Sequence, residues 1–214
     1  MTTGEIVERV ESVTVVGTGV VRGTPDVLRL DLGVEVHDVT VDAALAGANL
    51  AMSALQRALL SAGVPQHDLR TSNLGIRTEY DRQGRTVSGY VVTQGLDVVL
   101  RDLSSAGALI GEVAAAGGDS TRVNGLRFDV EDDAALLEQA RRAAVDDARR
   151  RAQTYAGAAA RTIGRALRIS EAGTGDPSPV PVRARLMAAE AGPVPLQSGA
   201  HEVSVTVTVE WALE

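Results

Sequence analysis

Apolar and polar positions alternate along several stretches of this chain, and the period of the alternation changes in a regular order. Val13 to Val21 reads as a strand. Gly23, Thr24, Pro25 and Asp26 then form a turn, with proline where its fixed φ suits position i+1. From Leu28 the pattern is clean: Leu28, Leu30, Leu32, Val34 and Val36 on one face, Arg29, Asp31, Glu35 and His37 on the other, as in a half-buried strand. Asp38 or Thr40 is placed to cap a helix whose inner stripe is Leu45, Ala48, Met52, Leu55 and Leu59, and Gly63 and Pro65 end it. Leu74, Ile76 and Tyr80, spaced by even numbers, mark a returning strand, and the polar run Asp81 to Arg85 around Gly84 reads as a hairpin loop. The theme then repeats. Tyr90 to Arg101 is strand-like, a short helix starts at Asp102 or Ser104 and runs through Leu109 and Val113 to Gly117 and Gly118, and Leu126, Phe128 and Val130 mark the next strand.

The order β-α-β, hairpin, β-α-β matches the split βαβ pattern of ferredoxin-like folds. The two halves share small signatures: strand exits at Asp38 and Asp102, helix exits through Ala-Gly, and Asn73 and Asn124 shortly before a glycine, the pattern left by a duplication. A third unit follows. Glu131, Asp132 and Asp133 are expected in the first turn of a long helix, where the dipole favours them. Its inner stripe is Ala140, Ala144, Ala148, Ala152, Ala156 and Ala159 with Tyr155 beside it, and Glu138–Arg142, Asp146–Arg150 and Asp147–Arg151 are spaced as i,i+4 pairs. Each is worth about 0.2–0.5 kcal/mol. The helix is expected to end near Gly164, before a strand from Ala166 to Ser170. Five of the seven prolines then fall within residues 173–199, a segment long enough to be a functional loop. Val203 to Trp211 closes the chain as a strand predicted to pair with the N-terminal hairpin. The expected fold is therefore α+β: a two-layer sheet-and-helix sandwich built of β-α-β units, antiparallel-rich, with a ferredoxin-like subdomain and a second α+β subdomain. The domain is expected over residues 13–213, subdomain 1 at about 13–90 plus strand 200–213, subdomain 2 at about 91–172, and a Pro-rich loop at 173–199.

Composition narrows the chemistry. Of 214 residues 44% are hydrophobic and 23% charged, with one Phe, one Trp and three Tyr, so the core is built from small and β-branched side chains and not from the aromatics that usually line small-molecule pockets. Net charge is −7 and the pI about 5.0, which argues against nucleic acid as a partner. Arg149, Arg150 and Arg151 follow Asp146 and Asp147 and read as an ion-paired surface. All 21 basic residues are arginine, and there is no cysteine. That removes lysine Schiff bases and phosphate-loop lysines, and thiolate nucleophiles, zinc knuckles and disulfides. Met1 to Val16 has no basic segment leading into an apolar run, and no stretch approaches the roughly 20 apolar residues of a membrane span. These features predict a cytoplasmic location for the chain as it stands, or the periplasm or envelope if an export signal has been removed.

Candidate sites are few. Gly17, Gly19 and Gly23 do not open onto a helix, as a dinucleotide loop requires, and are expected to relieve a hairpin or bulge. The histidines are His37, His67 and His201, of which His37 and His67 each precede an aspartate; no metal-ligand spacing accompanies them. Asp31 with Glu35, and Glu202 with Glu210, lie on the polar sides of strands, where acids are solvated and lack the burial that separates the pKa values of an acid–base pair. No Gly-x-Ser-x-Gly elbow occurs. No catalytic, cofactor-binding or metal-binding residue is assigned and no cofactor is predicted.

Taken in order, Val15, Gly17 and Gly19, Pro25-Asp26, Asn49, Ala62-Gly63-Val64, Asp68-Leu69-x-Thr71, Gly89-Tyr90, Asp102-Leu103, the long helix with Glu138, Ala140, Arg141, Ala144, Ala148 and Ala152, the Pro-rich segment and the final Val-x-Val-x-Val strand resemble the SIMPL-domain family over residues 13 to 213. The resemblance implies a two-part α+β structure, no established enzymatic activity and no catalytic residues to transfer. Family members are often exported to the bacterial periplasm or envelope; some are linked to oxidative-stress tolerance and some to large ring- or channel-like oligomers. The family takes its name from a signalling adaptor of a pelle-like kinase. The expected function is a non-enzymatic, self-associating scaffold (a homo-oligomer) with a link to stress protection. The alternatives are a module binding a small ligand or peptide of unknown identity, and a hydrolase using carboxylates.

Overall fold

The computed structural model describes residues 11–172 and 196–214, so most of the Pro-rich segment lies outside the described residues. Within them the fold is α+β, with seven strands in two antiparallel sheets and three α-helices. The strands are β1 (Ser12–Gly23), β2 (Val27–Asp38), β3 (Leu69–Tyr80), β4 (Val87–Leu100), β5 (Thr121–Asp129), β6 (Ile163–Glu171) and β7 (His201–Leu213). The helices are α1 (Val41–Ser61), α2 (Ala106–Gly117) and α3 (Ala134–Ala158).

The chain divides into two units, and not at the expected place. Among the described residues, one unit gathers 11–24, 132–172 and 200–214; the other gathers 25–131 and 196–199. A cut near residue 90 would pass through β4, which sits between β3 and β2 in a four-stranded sheet ordered β3-β4-β2-β5. The expected N-terminal hairpin does not form either. β1 pairs with β7 along its whole length, from Ser12 opposite Ala212 to Gly23 opposite His201, while β2 pairs with β4 and β5. The pairing of the C-terminal strand with β1 is as expected; the turn at Pro25 carries the chain from one sheet to the other.

The four-stranded unit has the split βαβ topology: β2 and β3 flank β4, and β4 and β5 flank β2. Its core is the helix-facing side of β2 (Leu28, Leu30, Leu32, Val34) and β4 (Val92, Leu96, Val98, Leu100) against Ala44, Ala48, Met52, Leu55 and Leu59 of α1 and Leu109, Ile110 and Val113 of α2. Thr40 is the N-cap of α1, its hydroxyl accepting from the Ala43 amide at 3.3 Å, which decides between the two expected caps. Gly63, at φ 88, lets the chain reverse after the helix as only glycine does without strain. Asp102 does not start α2 but precedes it, accepting from the Ser104 and Ser105 hydroxyls at 2.6 and 2.7 Å. Leu74, Ile76 and Tyr80 of β3 lie more than half exposed or at the half-way mark, because α1 packs on β2 and β4.

The other unit is a three-stranded sheet, β1-β7-β6, covered by one helix. The alanine seam is as expected: Ala140, Ala144, Ala148, Ala152 and Ala156 are buried against Val15, Val203, Val205, Val207, Val209 and Trp211. Arg149 lies 5.4 Å over the Trp211 ring. Two expectations about α3 fail. Glu131, Asp132 and Asp133 precede the helix, and Asp132 accepts from the Ala134 amide at 3.0 Å. The helix also stops at Ala158, well before Gly164, because Thr162 must exchange backbone hydrogen bonds with Glu214 at 2.8 and 2.9 Å to enter the sheet. The reversal puts Ala160 at φ 55. Of the expected helix-surface pairs, Glu138–Arg142 and Asp147–Arg151 form, and Arg150 pairs with Asp147 at 3.2 Å instead of with Asp146.

Candidate functional site

The face of the four-stranded sheet turned away from α1 and α2 holds a connected set of polar groups. Alternation places Arg29, Asp31, Gly33, Glu35 and His37 of β2 there, beside Val99, Asp97, Gly95, Thr93 and Val91 of β4 in register. Glu35 is its hub. Arg77 donates to it at 3.2 Å, Arg122 lies 3.6 Å away, and His37 sits between Glu35 at 3.4 Å and Glu79 at 3.3 Å. Burial pushes the Glu35 carboxyl up, but the His37 hydrogen bond and the charges of Arg77 and Arg122 outweigh it, leaving its pKa lowered. Asp31 and Asp97 are directly opposed across the two central strands, an unfavourable arrangement for like charges. Each is answered from outside: Asn124 donates to Asp31 at 3.1 Å and Arg70 to Asp97 at 3.0 Å.

The two asparagines singled out by the repeat occupy equivalent irregularities. The β3–β4 register shifts between Thr71 and Leu74, and the β2–β5 register shifts between Asp31 and Leu32. Each β-bulge frees an asparagine to turn over the sheet. Between them, Gly33 and Gly95 face each other. A Cβ on Gly95 would lie 2.6 Å from Asn73 Oδ1, and one on Gly33 3.3 Å from Asn124 Nδ2. The glycine pair is thus the floor on which the two asparagine side chains rest. Sequence reading found the asparagines but not the floor.

At one end of the same unit, the Arg101 guanidinium bridges Asp68 and Glu131. Asp68 is the buried charged residue among those described. Arg101 holds the Glu131 carboxyl below its ordinary range, and the hydroxyls of Ser104 and Ser105 lower Asp102 to about 2. Glu131 and Asp102 are thereby held in the ionised form, suited to ion pairing and unsuited to proton donation near neutral pH.

The remaining singled-out residues have structural roles. Gly17 and Gly19 lie under α3: a Cβ on Gly17 would come within 2.5 Å of the Ala148 nitrogen, and one on Gly19 within 2.5 Å of the Ala144 nitrogen. They allow helix and strand to touch, and neither relieve a bulge nor cradle a phosphate. His67 sits 3.9 Å from Asp68 and His201 opens β7 opposite Gly23. Glu202 pairs with Arg22 at 3.2 Å, and Glu210 accepts from the Ser12 hydroxyl at 2.7 Å. Among the described residues no three His, Cys, Asp or Glu side chains are grouped to hold a metal ion. Two shallow grooves flank α3. One, of about 350 Å³, is lined by Val13–Val16, Arg151 and Tyr155; the other, of about 450 Å³, by Arg141, Arg142, Val145 and Asp146.

Fold and site together define a class: a two-unit α+β protein in which a ferredoxin-like unit is inserted into a three-stranded sheet closed by one alanine-seamed helix. The chain belongs to the SIMPL family, described as a protein of unknown function (DUF541), whose model matches residues 13–211. It is 30% identical to a 26 kDa periplasmic immunogenic protein of Brucella melitensis over 94% of this chain and 84% of that protein. It is 27% identical to the uncharacterized protein YggE of Escherichia coli K12 over 88% of this chain and 76% of that protein. No described helix is long and apolar enough to cross a membrane.

Proposed function

We propose that this chain is a non-enzymatic, self-associating scaffold of the bacterial periplasm or envelope, with a protective role under stress. The observation that carries the reading is in the three-stranded unit. Its edge strand β1 holds no charged residue from Val13 to Val21 and exposes Val16 and Val20, and its other edge, β6, exposes Ile169. A long, uncharged, exposed edge such as β1 is a template for pairing with another chain. The carboxylates offer less to a catalyst: Glu35, Asp102, Glu131 and Asp147 all titrate below their ordinary range, the reverse of what a general acid at neutral pH requires. The periplasmic assignment, in place of the cytoplasmic expectation, follows the relative named as a periplasmic protein.

Light scattering coupled to size exclusion tests the reading. A mass above that of one chain that grows with concentration is expected; a strict monomer up to near-millimolar protein refutes self-association. Fractionation of the source cells tests location, with recovery in the periplasmic fraction expected. Loss of peroxide tolerance on deleting the gene is expected of the protective role. A second reading, capture of an extended peptide, is favoured by the groove beside Val13–Val16. An unexplained co-purifying mass in native mass spectrometry would favour it over self-association.

A further inference from the structure

The chain has three asparagines, Asn49, Asn73 and Asn124, and of these Asn124 is followed by glycine. Gly125 has no side chain to shield its backbone nitrogen from the Asn124 carboxamide, and its backbone turns freely. Leucine follows the other two. Asn49 is also held within α1, where its Oδ1 accepts from Gln94 at 2.7 Å.

The fold puts Asn124 where a strand least resists bending back on itself. β5 is an edge of the four-stranded sheet. Val123 lies opposite Leu32 and Gly125 opposite Asp31, so Asn124 is the extra residue of the bulge. Such a residue stands outside the ladder, and an exposed edge opens locally at less cost than a core strand. Asn124 and Gly125 are both exposed. A Cβ built on Gly125 would meet nothing nearer than the Asp31 Cβ at 3.9 Å. Asn73 occupies the equivalent bulge on the opposite edge strand, β3, with Leu74 in place of the glycine. One neighbour works against reaction at Asn124. Asp31 accepts from its Nδ2 at 3.1 Å, which holds the carboxamide in place and sets a negative charge beside it.

We propose that Asn124 is a site of spontaneous deamidation, restrained by Asp31, and that its conversion loosens β5. The Gly125 nitrogen gives up its proton to solvent and attacks Asn124 Cγ. The new N–Cγ bond closes a succinimide ring, the Cγ–Nδ2 bond breaks, and ammonia leaves. Water then adds to either ring carbonyl and opens the ring, giving aspartate or isoaspartate. Water is the co-reactant and no electron is transferred. Aspartate puts a carboxylate oxygen where the Nδ2 donor stood, 3.1 Å from Asp31, and like charges that close cannot both stay ionised without moving apart. Isoaspartate adds a backbone methylene ahead of Phe128, which packs against the core of this unit. The inference is independent of self-association.

The test is incubation of the folded full chain in mildly alkaline buffer, followed by peptide mapping in a mass spectrometer and labelling with an isoaspartyl methyltransferase. Isoaspartate is expected at Asn124 and not at Asn73 or Asn49. Gly125→Ala, for which the structure has room, is expected to slow the conversion at least about tenfold, a barrier higher by about 1.4 kcal/mol. A like charge about 4 Å away is worth about 1 kcal/mol in water, so Asp31→Asn is expected to speed it about fivefold. Asn124→Asp, the charge equivalent of one product, is expected to lower the urea midpoint at neutral pH by far-ultraviolet circular dichroism. Conversion of Asn124 in the urea-unfolded chain but not in the folded one would overturn the proposal, as would equal conversion at Asn73. An unchanged rate in Asp31→Asn would overturn the restraint, and an unchanged midpoint in Asn124→Asp the loosening of β5.

Discussion

Replacing Gly17 by alanine should damage the three-stranded unit far more than one methyl group suggests. The added Cβ would lie 2.5 Å from the Ala148 nitrogen, 2.8 Å from the Ala148 Cβ, and nearer still to the Ala144 carbonyl oxygen. Ordinary contact needs about 3.5–4.0 Å, and none of these atoms can rotate away, so α3 must retreat by roughly 1 Å. Overpacking of this kind costs about 1–3 kcal/mol. The retreat also loosens the seam. Five buried alanine methyls at about 0.8 kcal/mol each contribute roughly 4 kcal/mol, and a gap of 0.5–1 Å forfeits about a quarter to a half of such contact energy. Entropy lost from the unfolded chain returns about 0.4–1 kcal/mol. The net is a destabilisation of about 3 kcal/mol. Trp211, the single tryptophan, lies buried in this unit's core and reports its unfolding by fluorescence. At a urea slope of about 1–3 kcal/mol/M the midpoint should fall by roughly 1–3 M. Gly157→Ala, in the same helix with no atom within 4 Å of the new Cβ, should instead gain up to about 1 kcal/mol. A Gly17→Ala midpoint equal to the parent's, at equal slope, would refute the claim that helix and strand backbones meet there.

Leu55→Ala empties a fully buried position in the ferredoxin-like core and should cost about 2–5 kcal/mol, read by far-ultraviolet circular dichroism in urea. Arg101→Ala leaves the buried Asp68 carboxylate without its partner and should cost about 1–3 kcal/mol in the same assay; a neutral result would show Asp68 to be solvated. Ala160→Gly relieves a left-handed backbone and should raise stability by about 1 kcal/mol, seen as a higher urea midpoint by Trp211 fluorescence. Glu35, Glu131 and Asp147 have lowered pKa values and Asp102 titrates near 2. In acid the unfolded chain therefore binds more protons than the folded one. Stability should be fully present above the ordinary carboxylate range of about 4–4.5 and fall as pH drops from there toward 2, measured as urea midpoints across pH; a flat profile through that window would show these groups to be unpaired.

Most elements were legible because their signals are local. Alternation in β2 and β7, the 3.6-residue stripe of α1 and the alanine seam of α3 each follow from one side of an element meeting oil and the other water. The split βαβ order also follows from element order alone. The end of α3 was misplaced because the signal at Gly164 was weaker than the demand of Thr162 and Glu214 to pair. The polar face of the four-stranded sheet was harder to read. His37, Glu35 and Asp31 were visible as a polar strand face, but their partners come from 42 to 93 residues away. Asn73 and Asn124 were noticed as a repeat, and only the facing glycines give them a physical reason.

The sequence by itself determined most of the strand and helix segments, the buried sides of β2, β7, α1 and α3, and that lysine and thiol chemistry are absent. It could not decide which strands are neighbours. β1 and β2 are adjacent in sequence and belong to different sheets: β1 pairs with β7 along its whole length, and β2 pairs with β4 and β5. Tertiary structure alone placed α3 over one edge of its sheet and off the other, since a helix settles wherever glycine and alanine let backbones approach most closely. That offset leaves Ile169 of β6 exposed on the side where Val209 of β7 is buried.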